Sequence, residues 1–315
     1  MPIDIESHKG RVPADKSGKR LDQTLAEMFP DFSRSRLKTW IEAGLVEVNG
    51  QMWRPRDRLC GGENVVVHAL HEPVVEVRPE AIPLDIVYED KEMLVVDKPP
   101  GLVVHPGAGN PGGTLQNALL HHDESLATLP RAGLVHRLDK DTGGLLIVAR
   151  TLRAHTALVQ AIASHQVTRL YRAICQGALI SGGTIDAPIG RHPIDRIRMA
   201  IVDGGRPAVS HYRVIERFDA HTLVEVQLET GRTHQIRVHM MHLGHPLVGD
   251  PLYGGRLAIP AGASEALRHS LHGFRRQALH AVRLELVHPF SGEKLQWASP
   301  LRPDMIALLE SLRNG

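Results

Sequence analysis

Apolar positions recur at helical spacing in RLDQTLAEMF, at Leu21, Leu25 and Phe29, until Pro30 ends the run, so a helix is predicted there. A second follows at once. Ser33 is a suitable N-cap for SRSRLKTWIEAG, Leu37, Trp40 and Ile41 form its apolar stripe, and Gly44 stops it. Arg34, Arg36 and Lys38 then project from the opposite face. In LVEVNGQMW the period drops to two, with Val46 and Val48 alternating into Asn49-Gly50, the strongest short signal for a hairpin. Two short helices and a hairpin make one small unit. Between Leu70 and Pro83, HEPVVEVRPEAIP mixes prolines with charges and buries no face, as an interdomain linker does. The expected domains are therefore residues 18–75 and 76–315.

Beyond the linker, IVYEDKEMLVVDKPPGLVVHPG reads as strand, turn, strand, turn, strand. GGLLIVAR, RLYRAICQG, HYRVIERF and TLVEVQLETG are strand-like too, while TLRAHTALVQAIAS and the tail RPDMIALLESLR carry the clearest helical periods. Strands mostly follow one another without regular helical crossovers. That order predicts an α+β domain on a largely antiparallel mixed sheet, not a doubly wound one.

Composition narrows the class. The 315 residues are 42% hydrophobic, which suits a folded two-domain protein. No stretch has the length and apolarity of a membrane span, and MPIDIESHKG lacks the apolar core of a signal peptide, so the cytoplasm is the expected location and no membrane partner is expected. Cys60 and Cys175 are too few for a disulfide framework and are expected to be ordinary buried or half-buried thiols. A net charge of +2 says little by itself, but its distribution says more. From Arg268 to His288 four arginines and four histidines face a single acid, Glu285; from Arg232 to His245 there are two arginines, four histidines and none. Such clusters can follow a phosphate backbone, or be solvated surface.

Helix, helix, hairpin and the later strand ENVVVH resemble the S4 RNA-binding module over about residues 18 to 70, which implies RNA contacts from Arg34, Arg36 and Lys38. Elsewhere GAGNPG matches the glycine spacing of a dinucleotide site. It lacks the preceding strand and the second strand ending in an acid, and Asn110-Pro111 favours a turn, so no nucleotide cofactor is expected. The 20 histidines show no zinc constellation: His234, His239 and His242 have no tidy helix or strand pattern with Cys or acidic partners.

The string GLVHRLDKDTGGLLIVAR places Arg137 and Asp139 in a polar turn just before a strongly apolar strand. Alone, His136, Arg137, Asp139 and Asp141 read as a surface salt-bridge cluster, or Asp141 and Thr142 as a turn closed by side-chain to backbone bonds. In order around it stand KPPGLVVHPG, RLYRAI, LETGRTHQIRVHMMHLGHPLVGDPLYGG and RQALHA. Together these strings closely resemble the signature of the RluA family of pseudouridine synthases, across nearly the whole chain. The resemblance implies a pseudouridine synthase domain that needs no cofactor and no metal. With the flanking text SRSRLK and IPLDIVYED, it implies uridines of 23S ribosomal RNA as substrate, in the helix 69 stem-loop, free or in a large-subunit assembly intermediate. A monomer is expected.

The same resemblance assigns roles. Asp139 is the catalytic carboxylate, Arg237 its paired cation with Arg232 as runner-up, Tyr171 the residue stacked on the base, and Arg137 the side chain that fills the gap left by a flipped nucleotide. The pair Gly143-Gly144 departs from a family that often carries Ser or Thr before the glycine, so altered packing near the loop is expected. The chemistry is consistent with this. Isomerising uridine breaks the N1 to C1′ bond, turns the base and rejoins it through C5, with no redox change and no group transferred. A carboxylate can act as the nucleophile or remove a sugar proton, and both stay open. In a poorly solvated pocket it needs a fixed cation to stay ionised, expected here as a guanidinium holding Asp139 through two hydrogen bonds. A non-catalytic RNA-binding ribosome-assembly factor and an RNA glycosidase are the alternatives, separated by loss of turnover on replacing Asp139 and by an abasic product.

Overall fold

The computed structural model describes residues 5–70, 77–107 and 109–315. The chain divides into two compact units, Met1–Glu76 and Val77–Gly315.

In the first unit a strand the periodicity did not reveal, β1 (Ile5–Arg11), precedes α1 (Leu21–Met28) and α2 (Arg34–Glu42). The hairpin strands β2 (Val46–Val48) and β3 (Gln51–Met52) follow, then β4 (Asn64–Leu70), which pairs with both β1 and β2. Ser33 caps α2 by accepting the Arg36 amide, and the hairpin turns through Asn49 and Gly50, both at positive φ, as a two-residue primed turn requires. Leu21, Leu25, Leu37, Trp40 and Ile41 from the helices meet Val46, Val48, Val65 and Val67 from the sheet in one buried cluster. The predicted stripes are the surfaces that pack. Burying each such side chain contributes about 1.5–3 kcal/mol, enough collectively to hold a small unit together. Cys60, expected to be at least half buried, is exposed.

The second unit is built on a nine-stranded sheet. Its strands are β5 (Ile86–Glu89), β6 (Met93–Lys98), β7 (Gly143–Ala149), β8 (Thr168–Gln176), β9 (Gly183–Asp186), β12 (Val209–Arg217), β13 (His221–Leu228), β14 (Leu279–Val287) and β15 (Lys294–Ala298). A separate two-stranded ribbon joins β10 (Ile189–Arg191) to β11 (Met199–Ile201). The large sheet runs β5-β6-β7-β14-β8-β13-β12-β9, with β15 beside β14. All its pairs are antiparallel except β7 with β14.

The central strands are covered on both faces, which explains their near-continuous apolar runs. Leu94 and Val96 of β6, with Leu146 and Val148 of β7, pack under α3 (Leu115–His122). The alternate residues Met93, Val95, Leu145 and Ile147 pack with Ala154 and Leu158 of α4 (Leu152–Ala163). A third cluster gathers α6 (Glu265–Gly273) and α7 (Pro303–Asn314), while α5 (Gln235–His242) crosses beside β11 and β12.

Three further expectations are corrected, while the turn expected in GAGNPG is present. LVVHPG forms no strand but irregular chain with single bridges at Val103 and Gly107, because Pro99, Pro100 and Pro106 have no N–H to donate to a ladder. Residues 71–76 of the expected linker lie outside the described residues, but from Val77 on the segment is bound to the second unit. The Glu80 carboxylate accepts the Gly113 amide and the Arg78 carbonyl accepts the Asn117 side chain. In GAGNPG, Ala108 lies outside the described residues, and Gly107 and Asn110 exchange backbone hydrogen bonds in a turn. The basic stretch from Arg268 to His288 is no continuous stripe. His280 and His288 are buried, Arg276 is tied to Asp304 at 2.7 Å, and Arg283 pairs with Glu285.

Candidate active site

The turn before β7 is anchored from several directions. Leu138 enters the core, and the Thr142 amide donates to the Asp139 carbonyl at 3.1 Å. His136 is no surface salt-bridge partner. Its Nε2 accepts the Ile147 amide at 3.0 Å, and burial lowers its pKa to about 3, so it is a neutral clamp on β7. Beneath the turn, fully buried Lys98 donates Nζ hydrogen bonds to the carbonyls of Pro99, Leu102 and Lys140 at 2.8, 2.8 and 2.9 Å. Burial draws its pKa down to about 7, yet three acceptors call for the three N–H donors of the ammonium. Lys140 follows Asp139 directly, so this knot fixes where Asp139 sits. Gly144 is obligatory for the same approach: at φ +110 a Cβ would lie 2.2 Å from the Ala281 carbonyl oxygen. At Gly143 an added Cβ would meet the His280 ring at 3.0 Å and the Lys98 carbonyl at 3.2 Å, so a side chain there would require its neighbours to shift by a few tenths of an ångström.

Arg237, on α5, reaches the turn from 98 residues away in sequence. Its Nη1 donates to Asp139 Oδ2 at 2.9 Å, while Nε and Nη2 grip Asp250 Oδ2 and Oδ1 at 2.7 and 2.8 Å. The two-pronged grip expected for Asp139 therefore belongs to Asp250, and Asp139 receives the remaining N–H. Burial opposes ionisation of Asp250, but the Arg237 hydrogen bonds outweigh it and hold its carboxyl below the usual carboxylate range. The two carboxylates in turn raise the pKa of Arg237 against its own burial. The guanidinium also lies 4.9 Å from the centre of the Tyr253 ring. The Tyr253 hydroxyl accepts the Met199 amide at 2.8 Å and shares a second hydrogen bond with His234 Nδ1, also at 2.8 Å.

A cavity of about 560 Å³ opens over this pair, lined by Arg137, Asp139, Tyr171, Arg232, His234 and Arg237 among others. Tyr171, buried on β8, lines this cavity, and its hydroxyl has no hydrogen-bond partner among the described residues; burial, partly offset by Arg169 and reinforced by Asp139, raises its pKa. Arg137 is exposed at the turn, and Arg232 donates Nε to the Pro207 carbonyl at 2.9 Å instead of reaching Asp139. The volume suits a nucleoside-sized group. Among the described residues no three His, Cys, Asp or Glu side chains gather to hold a metal. In the first unit Arg34 is committed to buried Asp22 at 2.7 Å, Arg36 stacks on Trp40, and Lys38 lies 3.6 Å from Glu42; all three stay exposed on α2.

Residues 92–242 match the RNA pseudouridylate synthase family, and residues 19–65 match the S4 domain. The chain is 56% identical over 312 residues to the ribosomal large subunit pseudouridine synthase D of Xanthomonas campestris pv. campestris, covering 99% of this chain and 94% of that one. The protein of the same name from Pseudomonas aeruginosa is 56% identical over 310 residues, covering 98% and 97%. This chain belongs to the RNA pseudouridylate synthase family. It is an RNA pseudouridine synthase, and the non-catalytic reading falls away. Among solved structures, human RNA pseudouridylate synthase domain containing 4 superposes with a TM-score of 0.56 at 29% identity, covering 72% of this chain and 92% of that one. No helix of the described residues is long and apolar enough to cross a membrane. Within the synthase site, Asp250, Lys98 and Tyr253 were not singled out from sequence. Their only signal was position inside the strings GDPLYGG and KPPG, whose contacts with the Asp139 turn exist only in the fold.

Proposed function

We propose that this synthase converts uridines of 23S ribosomal RNA to pseudouridine, in the helix 69 stem-loop, as a cytoplasmic monomer. What carries this reading is identity above one half, over nearly the full length, to relatives named for the large ribosomal subunit. Asp139 is the catalytic carboxylate, held ionised and aimed by Arg237, which Asp250 positions. In the reaction the N1 to C1′ bond breaks, the base turns, C5 bonds to C1′, the C5 proton leaves and N1 ends protonated. Asp139 assists as nucleophile or as base, so no cofactor is required. Tyr171 forms the floor on which the base turns, and its hydroxyl, without a partner among the described residues, is placed to handle a proton as the base is reattached. Arg137 and Arg232 bind the RNA at the cavity, and Arg34, Arg36 and Lys38 bind it from the S4 domain.

The test maps pseudouridine across large-subunit rRNA from cells with and without the protein, and from cells carrying Asp139→Asn. Sites in the helix 69 loop that vanish in both deficient cells support the reading. Unaltered pseudouridine there, with loss at another site, would refute the target but not the activity.

A further inference from the structure

Two guanidiniums at the cavity have no part in holding Asp139. Arg206 and Arg232 both line it. The backbone of Arg206 exchanges two hydrogen bonds with Ile189, both at 2.9 Å, so its exposed side chain projects from a fixed mount. Its guanidinium has no hydrogen bond or ion pair among the described residues. Arg232 is pinned at its base, with its amide donating to Gln235 Oε1 at 3.0 Å and its Nε to the carbonyl of Pro207, the neighbour of Arg206. Both its terminal nitrogens are unengaged among the described residues. The acids of the cavity wall are spoken for: Asp139 by Arg237, and Glu229 by His211 at 2.5 Å.

The two charges feel each other. Arg232 is pushed below its ordinary pKa by burial first and by the Arg206 charge second. Two like charges on fixed mounts, with both acids of the cavity wall paired elsewhere, repel, and an anion seated between them removes that repulsion. Guanidiniums suit one anion well, because their paired N–H groups match the oxygens of a phosphate. We propose that Arg206 and Arg232 form a phosphate subsite that grips one phosphodiester of the RNA strand beside the nucleotide entering the cavity. This rests on the reading of the cavity as the uridine site. It adds a residue, Arg206, and a defined ligand group to it.

The experiment uses the full chain and synthetic fragments of large-subunit rRNA, first assayed for uridine conversion by the wild type, with single phosphates of a converted fragment replaced in turn by neutral methylphosphonates. Arg206→Gln should weaken binding about tenfold, the loss of one charge-assisted contact. It should also flatten the salt dependence of binding by a log–log slope of about 0.7, the value for one phosphate on a single strand. One methylphosphonate position should weaken wild-type binding by a similar factor and leave Arg206→Gln nearly indifferent. Arg206→Lys should recover part of the loss, and Arg232→Gln should show the same coupling to the same phosphate; it also serves if Arg206→Gln loses its thermal transition. Penalties identical in wild type and variants at every position would overturn the subsite while leaving the uridine reading intact. A wild type that converts no uridine in any fragment would overturn both.

Discussion

Replacing Asp250 with asparagine separates positioning from chemistry. The wild-type carboxylate accepts Nε and Nη2 of Arg237 at 2.7 and 2.8 Å, and its Oδ1 also accepts the Leu252 and Tyr253 amides at 2.9 and 3.0 Å. Asparagine keeps the shape, but its amide nitrogen turns a donor toward a donor and removes the charge that offsets the buried guanidinium. Breaking a buried ion pair from one side costs about 3–5 kcal/mol. Here the lower end applies, about 3 kcal/mol, because Arg237 keeps Asp139 as a partner. For a domain of this size that lowers Tm by roughly 6–12 °C, within a total stability of about 5–15 kcal/mol, so the protein stays folded. Turnover should fall further than stability suggests. Freed from its fork, Arg237 can swing with Asp139, and a displacement of about 1 Å costs on the order of a hundredfold in rate. The assays are thermal unfolding followed by circular dichroism and tritium release from C5-labelled uridine in rRNA. A variant with unchanged Tm and full turnover would refute the argument that Asp250 holds Arg237 in place.

Arg237→Lys keeps one charge but cannot span both carboxylates, so the rate should drop by at least about a hundredfold with RNA affinity retained; full turnover would contradict the bridge. Deleting residues 1–75 should weaken RNA binding and reduce its salt slope by about 0.9 per lost duplex phosphate contact, without abolishing turnover at high RNA concentration; equal affinity and site choice would contradict the S4 assignment. His136 and the fully buried His221 and His280 have pKa values lowered by burial to about 3, 4 and 4. The unfolded chain binds these protons first, so stability is fully present above pH 6.5 and declines on acidification toward those values, by up to about 1.4 kcal/mol per pH unit for each group. Denaturant unfolding across pH checks this, and stability that is flat between pH 6.5 and 4 would contradict it.

Much of the fold was legible where a side-chain period coincides with the buried face. The stripes on α1 and α2, the Asn49-Gly50 turn and the apolar runs of β6 and β7 lie where their patterns place them. α5 was not legible because it is buried around its whole circumference: Gln235, Arg237 and His239 are buried and hydrogen-bonded while Ile236, Val238 and Met240 between them are buried in the core, so polar and apolar positions alternate and no helical stripe forms. For the same reason His234, His239 and His242 seemed patternless although the last two stand one turn apart on that helix. β14 hides a buried histidine, His280, on Ser299. At the site, Asp139 and Arg237 could be paired only through family resemblance. The fork on Asp250, the knot of carbonyls around Lys98 and the mounting of Arg206 on Ile189 exist only once separate segments meet.

The central claim, that Asp139 performs the chemistry, is tested most directly by tritium release with Asp139→Asn. The substitution preserves shape and the Arg237 side of the cavity but removes the charge and the lone pair needed by a nucleophile or base. No release above background is expected under single-turnover conditions, with the thermal transition and RNA affinity near those of the wild type. Substantial release by that variant would contradict it.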